Sequence, residues 1–115
     1  MKIQKIRMNS TNFFHSPPDN LNCAQAVLKG FQTEFSVTDQ EIDDFRAWGG
    51  GRTEDGVCGA LFAAESLLRQ AGKLSIQEEF LAQAGDIYCL NIKEGKFSCV
   101  ECVGLADELV KNRMK

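Results

Sequence analysis

This 115-residue chain lacks several features that would assign it to a functional class. No apolar run approaches the roughly 18 residues of a membrane span. The basic N-terminus is not followed by the apolar core of a secretory signal. Basic residues number 13 against 16 acidic ones, and no basic stripe marks a nucleic-acid surface. We therefore expect a cytoplasmic protein that is not membrane-inserted and has no nucleic-acid partner.

Histidine is also scarce, since His15 is the only one in the chain. A cysteine–histidine nucleophile pair would have to use it. It lies in a stretch without helical periodicity, which favours a surface histidine instead. The acidic residues are interpreted as helix caps and solvated faces, and no pair of carboxylates stands out for acid–base work.

The chain does contain five cysteines, at positions 23, 58, 89, 99 and 102. A chain of this length buries roughly two-thirds of its unfolded surface and needs no disulfides in order to fold. Cytoplasmic thiols stay reduced, and cysteines there are more often catalytic, redox-sensing or metal-binding than structural. The sequence therefore predicts a catalytic, redox or metal-binding role for the cysteines.

Hydrophobic periodicity predicts an all-α, single-domain bundle of about five helices with short connections. Residues 1–20 are predicted as an irregular N-terminal lead-in and residues 21–115 as the helical domain. The helices are expected at about 21–35, 38–48, 55–72, 75–85 and 98–112. Residues 86–98 fit either a short strand or a helical turn.

The predicted helix ends have chemical signals of their own. Capping boxes are predicted at Thr38–Glu41 and at Ser75–Glu78. Gly72 is predicted as the residue that follows the third helix, and Gly85 closes the fourth.

Four cysteines fall near predicted helix N-termini, where the first N–H groups and the helix dipole favour a thiolate. They are Cys23, Cys58, Cys99 and Cys102. Cys58 follows the glycine run Gly49–Gly51 and precedes Gly59. This segment predicts either a tight turn between two helices or an accessible sulfur. On the second interpretation Cys58 is the most reactive thiol.

Cys99-Val100-Glu101-Cys102 is the only CxxC. On a helix its two thiols face the same way and can pair or share a metal. Residue 103 is valine, so covalent haem attachment is not supported. No βαβ pattern surrounds the motif, so it does not predict thioredoxin-like chemistry.

Four segments together resemble a known family. They are Asn22–Leu28 (NCAQAVL), the triple glycine Gly49–Gly51, Gly56–Ala60 (GVCGA) and two later cysteines. In this order they resemble the redox-active protein family named for its C–GCAxxG–C–C pattern, over the chain from about Asn22 to the last helix. The chain departs from the pattern at Ala63, where the family has glycine.

The resemblance assigns the family's four cysteines to Cys23, Cys58, Cys89 and Cys102, with Cys99 competing for the last place. It implies redox activity at those positions and a link to a transporter system, but no defined substrate.

Three functions remain open. The first is thiol–disulfide exchange with a redox partner protein or a small oxidant. The second is a module that binds zinc or an iron–sulfur cluster through the same four cysteines, with Cys99 as a further candidate ligand. The third is a helical interaction protein whose cysteines are inert core. We favour the first and expect Cys99 to be the odd thiol when the others pair.

Overall fold

The computed structural model describes residues 9–15, 20–48, 56–95 and 97–114. Six α-helices lie in these residues: Cys23–Gly30 (α1), Asp39–Asp44 (α2), Gly59–Gln70 (α3), Gln77–Ala84 (α4), Cys89–Glu94 (α5) and Cys99–Arg113 (α6). Single-turn 3-10 helices lie at Ser10–Phe13 and Phe45–Trp48. The described residues form two isolated β-bridges and no strand. The prediction of an all-α bundle is therefore confirmed.

Three helices, α1, α3 and α6, pack against one another around the core. Alanines without exposed surface line their contacts and let the backbones approach closely: Ala24, Ala26, Ala60, Ala63, Ala64 and Ala106. The largest enclosed side chains are Phe31 and Phe80. No helix within the described ranges has the length and apolar character that a membrane span requires.

The first helix was predicted over about 21–35, but α1 is shorter and spans only Cys23–Gly30. After α1 the chain continues in turns over residues 31–36. Ser36 takes the left-handed conformation, with φ of 53°. The N–H of Val37 then donates to the carbonyl of Gln32 at 2.9 Å. This is the Schellman arrangement, so a polar residue takes the place that glycine usually fills.

The predicted stop at Gly72 is confirmed. Gly72 has φ of 70°, a left-handed conformation that costs glycine little. The N–H of Lys73 donates to the carbonyl of Leu68 at 2.9 Å, which completes a second Schellman motif. Gly85, with φ of 88°, closes α4 as predicted.

Of the two predicted capping boxes, one is confirmed and one is wrong. The reciprocal hydrogen bonds of Thr38 and Glu41 open α2. Ser75, in contrast, accepts the N–H of Gln77 at 3.0 Å and hydrogen-bonds to Glu65 of α3. The long-range carboxylate therefore replaces the predicted local partner, Glu78. Two capping boxes that were not predicted open α1 and α6.

The third helix starts later than predicted. The structure also shows which elements form within residues 86–98, which fitted either a short strand or a helical turn. Val57 and Tyr88 form an antiparallel β-bridge, and α3 begins only at Gly59. Immediately after the bridge, residues 89–94 form α5. The segment thus contains one bridge residue followed by a short helix. The glycine run Gly49–Gly51 lies outside the described residues.

The described part of the N-terminal lead-in contains a 3-10 helix at Ser10–Phe13, although the sequence showed no periodicity there. Ser10 is fully buried, and its hydroxyl donates to the carboxylate of Asp107 at 2.5 Å. Its backbone N–H donates to the same carboxylate at 2.8 Å. The turn therefore packs across both α1 and α6.

Candidate thiol site

Each cysteine lies at or near the start of a helix. Cys23, Cys89 and Cys99 are the first residues of α1, α5 and α6. Cys58 is the residue that caps α3, and Cys102 lies one turn inside α6. The prediction of four helix-start cysteines therefore extends to Cys89, whose helix the sequence left ambiguous.

Local capping fixes two of these starts. Asn22 accepts the N–H of Gln25 at 2.8 Å, and the amide of Gln25 accepts the N–H of Asn22 at 3.1 Å, which places Cys23 between them. Gln25 is itself fully buried and donates to the carbonyl of Ile42 at 2.9 Å. The same reciprocal pattern links Ser98 and Glu101 around Cys99.

Hydrogen bonds between two backbone segments fix the helix starts at Cys58 and Cys89. The N–H of Cys58 donates to the carbonyl of Ile87 at 2.7 Å, and the N–H of Cys89 donates to the carbonyl of Gly56 at 3.0 Å. These bonds flank the bridge between Val57 and Tyr88. The starts of α3 and α5 are thereby held side by side, although 31 positions separate their cysteines.

All five cysteines line one cavity of about 10 Å³, roughly the space of one water molecule. Its other lining residues are Ile92, Phe97 and Ser98. We expected Cys23, Cys58 and Cys102 to be drawn together, and the structure brings them together with Cys89 and Cys99. No disulfide joins any of the five.

The thiols differ in access to solvent. Cys23, Cys58, Cys89 and Cys102 are buried, whereas Cys99 is partly exposed. The prediction of an accessible Cys58 sulfur is therefore wrong, since that residue is only 4% exposed. The reason is tertiary: the bridge to residues 87–89 covers the start of α3.

Cys102 and Cys58 are joined by a side-chain hydrogen bond. This bond, followed by burial, raises the pKa of the Cys102 thiol far above its usual range. The neighbouring sulfurs of Cys58, Cys99 and Cys23 act in the same direction, because a negative charge on any of them repels a thiolate at Cys102. Cys102 therefore keeps its proton under ordinary conditions.

Metal binding through Cys23, Cys58, Cys89 and Cys102 is the alternative prediction for these side chains. Thiolates are suitable ligands for zinc and for iron–sulfur clusters. Within the described residues, however, no three or more His, Cys, Asp or Glu side chains are grouped so that they could hold a metal ion. The donors fit such a group chemically, but their arrangement does not.

His15 is not part of the site. It is exposed, and its ring stacks on that of Phe14 with 3.9 Å between the ring centroids. Its φ of 51° and the bond from its N–H to the carbonyl of Leu21 place it in a turn. It does not line the cysteine cavity.

Sequence reasoning missed one buried polar pair, Ser10 and Asp107. Asp107 has no exposed surface and lies on the apolar face of α6 between Val103 and Val110. An acidic residue within an apolar stripe is a readable signal, because a buried carboxylate needs hydrogen-bond donors. Its partner could not be read from the sequence, since Ser10 is 97 positions away.

Comparison with known proteins adds no assignment: no protein-family model, curated protein or solved structure matches the chain. The resemblance to the C–GCAxxG–C–C family therefore stays a prediction that rests on the sequence motifs. The cavity and its five thiols are the basis for any functional proposal.

Proposed function

We propose that this protein is a thiol–disulfide redox protein in which Cys58 and Cys102 form the central dithiol. One observation carries the proposal: five cysteines from the starts of four helices line a single cavity, and two of them are hydrogen-bonded to each other. A disulfide requires close sulfurs, and a hydrogen-bonded thiol pair meets that requirement.

The inert-core interpretation explains this placement less well. Free cysteine behaves as a small hydrophobe and packs well in any core. Cysteines used only in that way would be distributed through the core, as the alanines of α1, α3 and α6 are. Here all five of them meet around one small cavity.

The hydrogen bond also gives the two sulfurs different roles. This bond, together with burial, keeps the proton on Cys102, which makes Cys102 a weak nucleophile. The thiolate is the nucleophile in disulfide exchange. We therefore assign the attack within the pair to Cys58.

In the oxidised protein the sulfurs of Cys58 and Cys102 are joined. The two thiols lose two electrons and two protons to an acceptor, which is a partner's disulfide or a small oxidant. Cys23 and Cys89 line the same cavity and are candidates for a second disulfide. Cys99 then remains as the odd thiol.

The test uses protein purified without oxygen and then treated with dilute hydrogen peroxide, which takes two electrons from two thiols and gives water. We expect five titratable thiols and no stoichiometric metal before oxidation. Afterwards, thiols should be lost in pairs, peptide mapping should find Cys58 linked to Cys102, and a reductant should restore both.

Cys58→Ser should abolish that disulfide, whereas Val100→Ser, at an exposed position, should leave it intact. Stoichiometric zinc or iron in the reduced protein would replace this proposal by the metal-binding module. Five thiols after oxidation, without metal, would support the inert core.

A further inference from the structure

The two cysteines of the CxxC occupy different environments at the start of α6. Cys99, the first residue of the helix, is partly exposed. Cys102, one turn further on, is 3% exposed. Both line the cysteine cavity, so the helix start connects the interior of the site with solvent.

The local structure keeps this pair in place. Ser98 accepts the N–H of Glu101 at 3.2 Å, and the carboxylate of Glu101 accepts the N–H of Ser98 at 3.0 Å. These bonds fix the first turn of α6. Residues three apart on a helix share a face, so the sulfurs of Cys99 and Cys102 lie on the same side of it.

We propose that Cys99 is the entry thiol of the site, through which an external disulfide oxidises the buried pair of Cys102 and Cys58. This inference rests on the proposed redox function and assigns a role to the cysteine that the family pattern leaves out. The four other thiols are too buried for a substrate disulfide to reach. The cavity, with space for about one water, admits no disulfide-bearing molecule.

The reaction proceeds in three exchanges, and sulfur and electrons balance in each. The thiolate of Cys99 attacks the external disulfide, so a mixed disulfide forms and one external thiolate leaves. Cys102 attacks the sulfur of Cys99 and passes its proton to the second external thiolate as that group leaves. Cys58 then attacks the sulfur of Cys102, which forms the buried disulfide and returns Cys99 to the thiolate, while the proton of Cys58 goes through water to the first external thiolate. The external disulfide has gained two electrons, and the buried pair has lost them.

The order of these steps follows from the contacts. Cys102 is the cysteine that neighbours both partners, since it lies three residues from Cys99 and is hydrogen-bonded to Cys58. The proposed exchange therefore runs from Cys99 through Cys102 to Cys58.

The experiment compares the wild-type chain with Cys99→Ser, Cys102→Ser and, as a matched control, Val100→Ser. Each is treated with glutathione disulfide or with oxidised DsbA, a protein disulfide, and the products are mapped by mass spectrometry. We expect Cys99→Ser to lower the rate of buried disulfide formation by at least about tenfold, because exchange depends on access to the attacking thiol. Val100→Ser should stay within about twofold of the wild type. The oxidant that reacts faster with the wild type distinguishes a small-molecule source from a protein source.

Cys102→Ser provides a second measurement, because without the resolving thiol the mixed disulfide should accumulate on Cys99. Hydrogen peroxide, which is small, should still link Cys58 to Cys102 in the Cys99→Ser protein. That result, together with the slow reaction toward larger disulfides, supports the entry role.

Two outcomes would overturn the inference alone: wild-type rates in Cys99→Ser, or a mixed disulfide on another cysteine in Cys102→Ser. If the wild-type chain forms no buried disulfide with any of the three oxidants, the proposed function itself fails.

Discussion

The thiol of Cys102 is hydrogen-bonded to the side chain of Cys58 across 44 positions of sequence, and the bond holds the proton on Cys102. Two helices, α3 and α6, bring these residues together at the cysteine cavity. The protonation of Cys102 is therefore a property of the folded chain, and it makes stability depend on pH.

The first prediction concerns that dependence in the reduced protein. The pKa of Cys102 is raised in the folded state, whereas in the unfolded chain it is near 8.5. Above about pH 8.5 the unfolded chain loses a proton that the folded chain retains, so the free energy of unfolding falls by up to about 1.4 kcal/mol per pH unit. Below that pH the contribution is fully present. Urea denaturation in reductant from neutral to alkaline pH measures this slope.

Cys102→Ser removes the titrating thiol, so its alkaline slope should be shallower by that amount. Val100→Ser, at an exposed position, leaves every thiol in place and should keep the wild-type slope. Equal slopes in wild type and Cys102→Ser would contradict the protonated state of the buried thiol.

The second prediction concerns thiol reactivity in the native state. Cys99 is the one cysteine that is not buried, so iodoacetamide should modify it before the other four. Modification of Cys58, at 4% exposed, should wait for an opening of the fold and should accelerate in denaturant. Time-resolved mass spectrometry of each cysteine peptide gives the order. A native-state rate for Cys58 equal to that of Cys99 would restore the accessible sulfur that the sequence suggested.

The third prediction concerns Gly30, where the N-terminal 3-10 helix crosses α1. A Cβ at this position would lie 2.1 Å from the hydroxyl oxygen and 2.9 Å from the Cα of Ser10. Because the second atom is backbone, the 3-10 helix would have to move. Gly30→Ala should therefore lower the free energy of unfolding by about 1–3 kcal/mol.

Gly104→Ala is the matched control, because its Cβ would meet only a methyl group of Thr11, at 3.3 Å. There a small steric cost is offset by a helix-propensity gain of about 1 kcal/mol, which leaves a net change near zero. Thermal and urea denaturation of both variants make the comparison. Equal changes in the free energy of unfolding of the two variants would show that the 3-10 helix does not pack closely against Gly30.

The fourth prediction concerns Asp107, which has no exposed surface and accepts both the N–H and the hydroxyl of Ser10. Asp107→Asn keeps the shape but replaces one accepting oxygen by a donating amide. Both hydrogen bonds from Ser10 end on one oxygen, which asparagine can still supply, whereas the amide of Asn9 donates to the other oxygen at 3.4 Å. We expect a loss of about 1–3 kcal/mol of stability, because at that second oxygen a buried acceptor becomes a donor that faces another donor. Glu108→Gln, at the exposed neighbouring position, should change stability by less than about 0.5 kcal/mol. Similar effects in both variants would argue against the docking role of Asp107.

Much of the helical framework follows from local chemistry, and the sequence predicted it for that reason. The apolar spacing of Leu21, Ala24 and Leu28 predicted the first helix, and all three residues are buried, although Leu21 lies just before α1. The pair Thr38 and Glu41 caps α2 because both partners lie within four residues of each other. Such signals need no knowledge of the rest of the fold.

Where a distant partner competes, the local signals failed. Ser75 does not form the box with Glu78 because Glu65, from another helix, hydrogen-bonds to its hydroxyl. The third helix does not start near residue 55 because the backbone around Val57 pairs with the backbone around Tyr88. In both cases a tertiary contact replaces the local alternative, and sequence spacing contains no information about it.

The same distinction between local signals and tertiary contacts applies to the cysteines. The sequence by itself determined their number, the positions of four of them near helix starts and the shared face of Cys99 and Cys102, since these are properties of composition and helical periodicity. Only the tertiary structure decided that all five line one cavity, that Cys58 is buried and that Cys102 bonds to it. Those relationships depend on how α1, α3, α5 and α6 pack, and packing joins residues whose separation along the chain does not specify their distance in space.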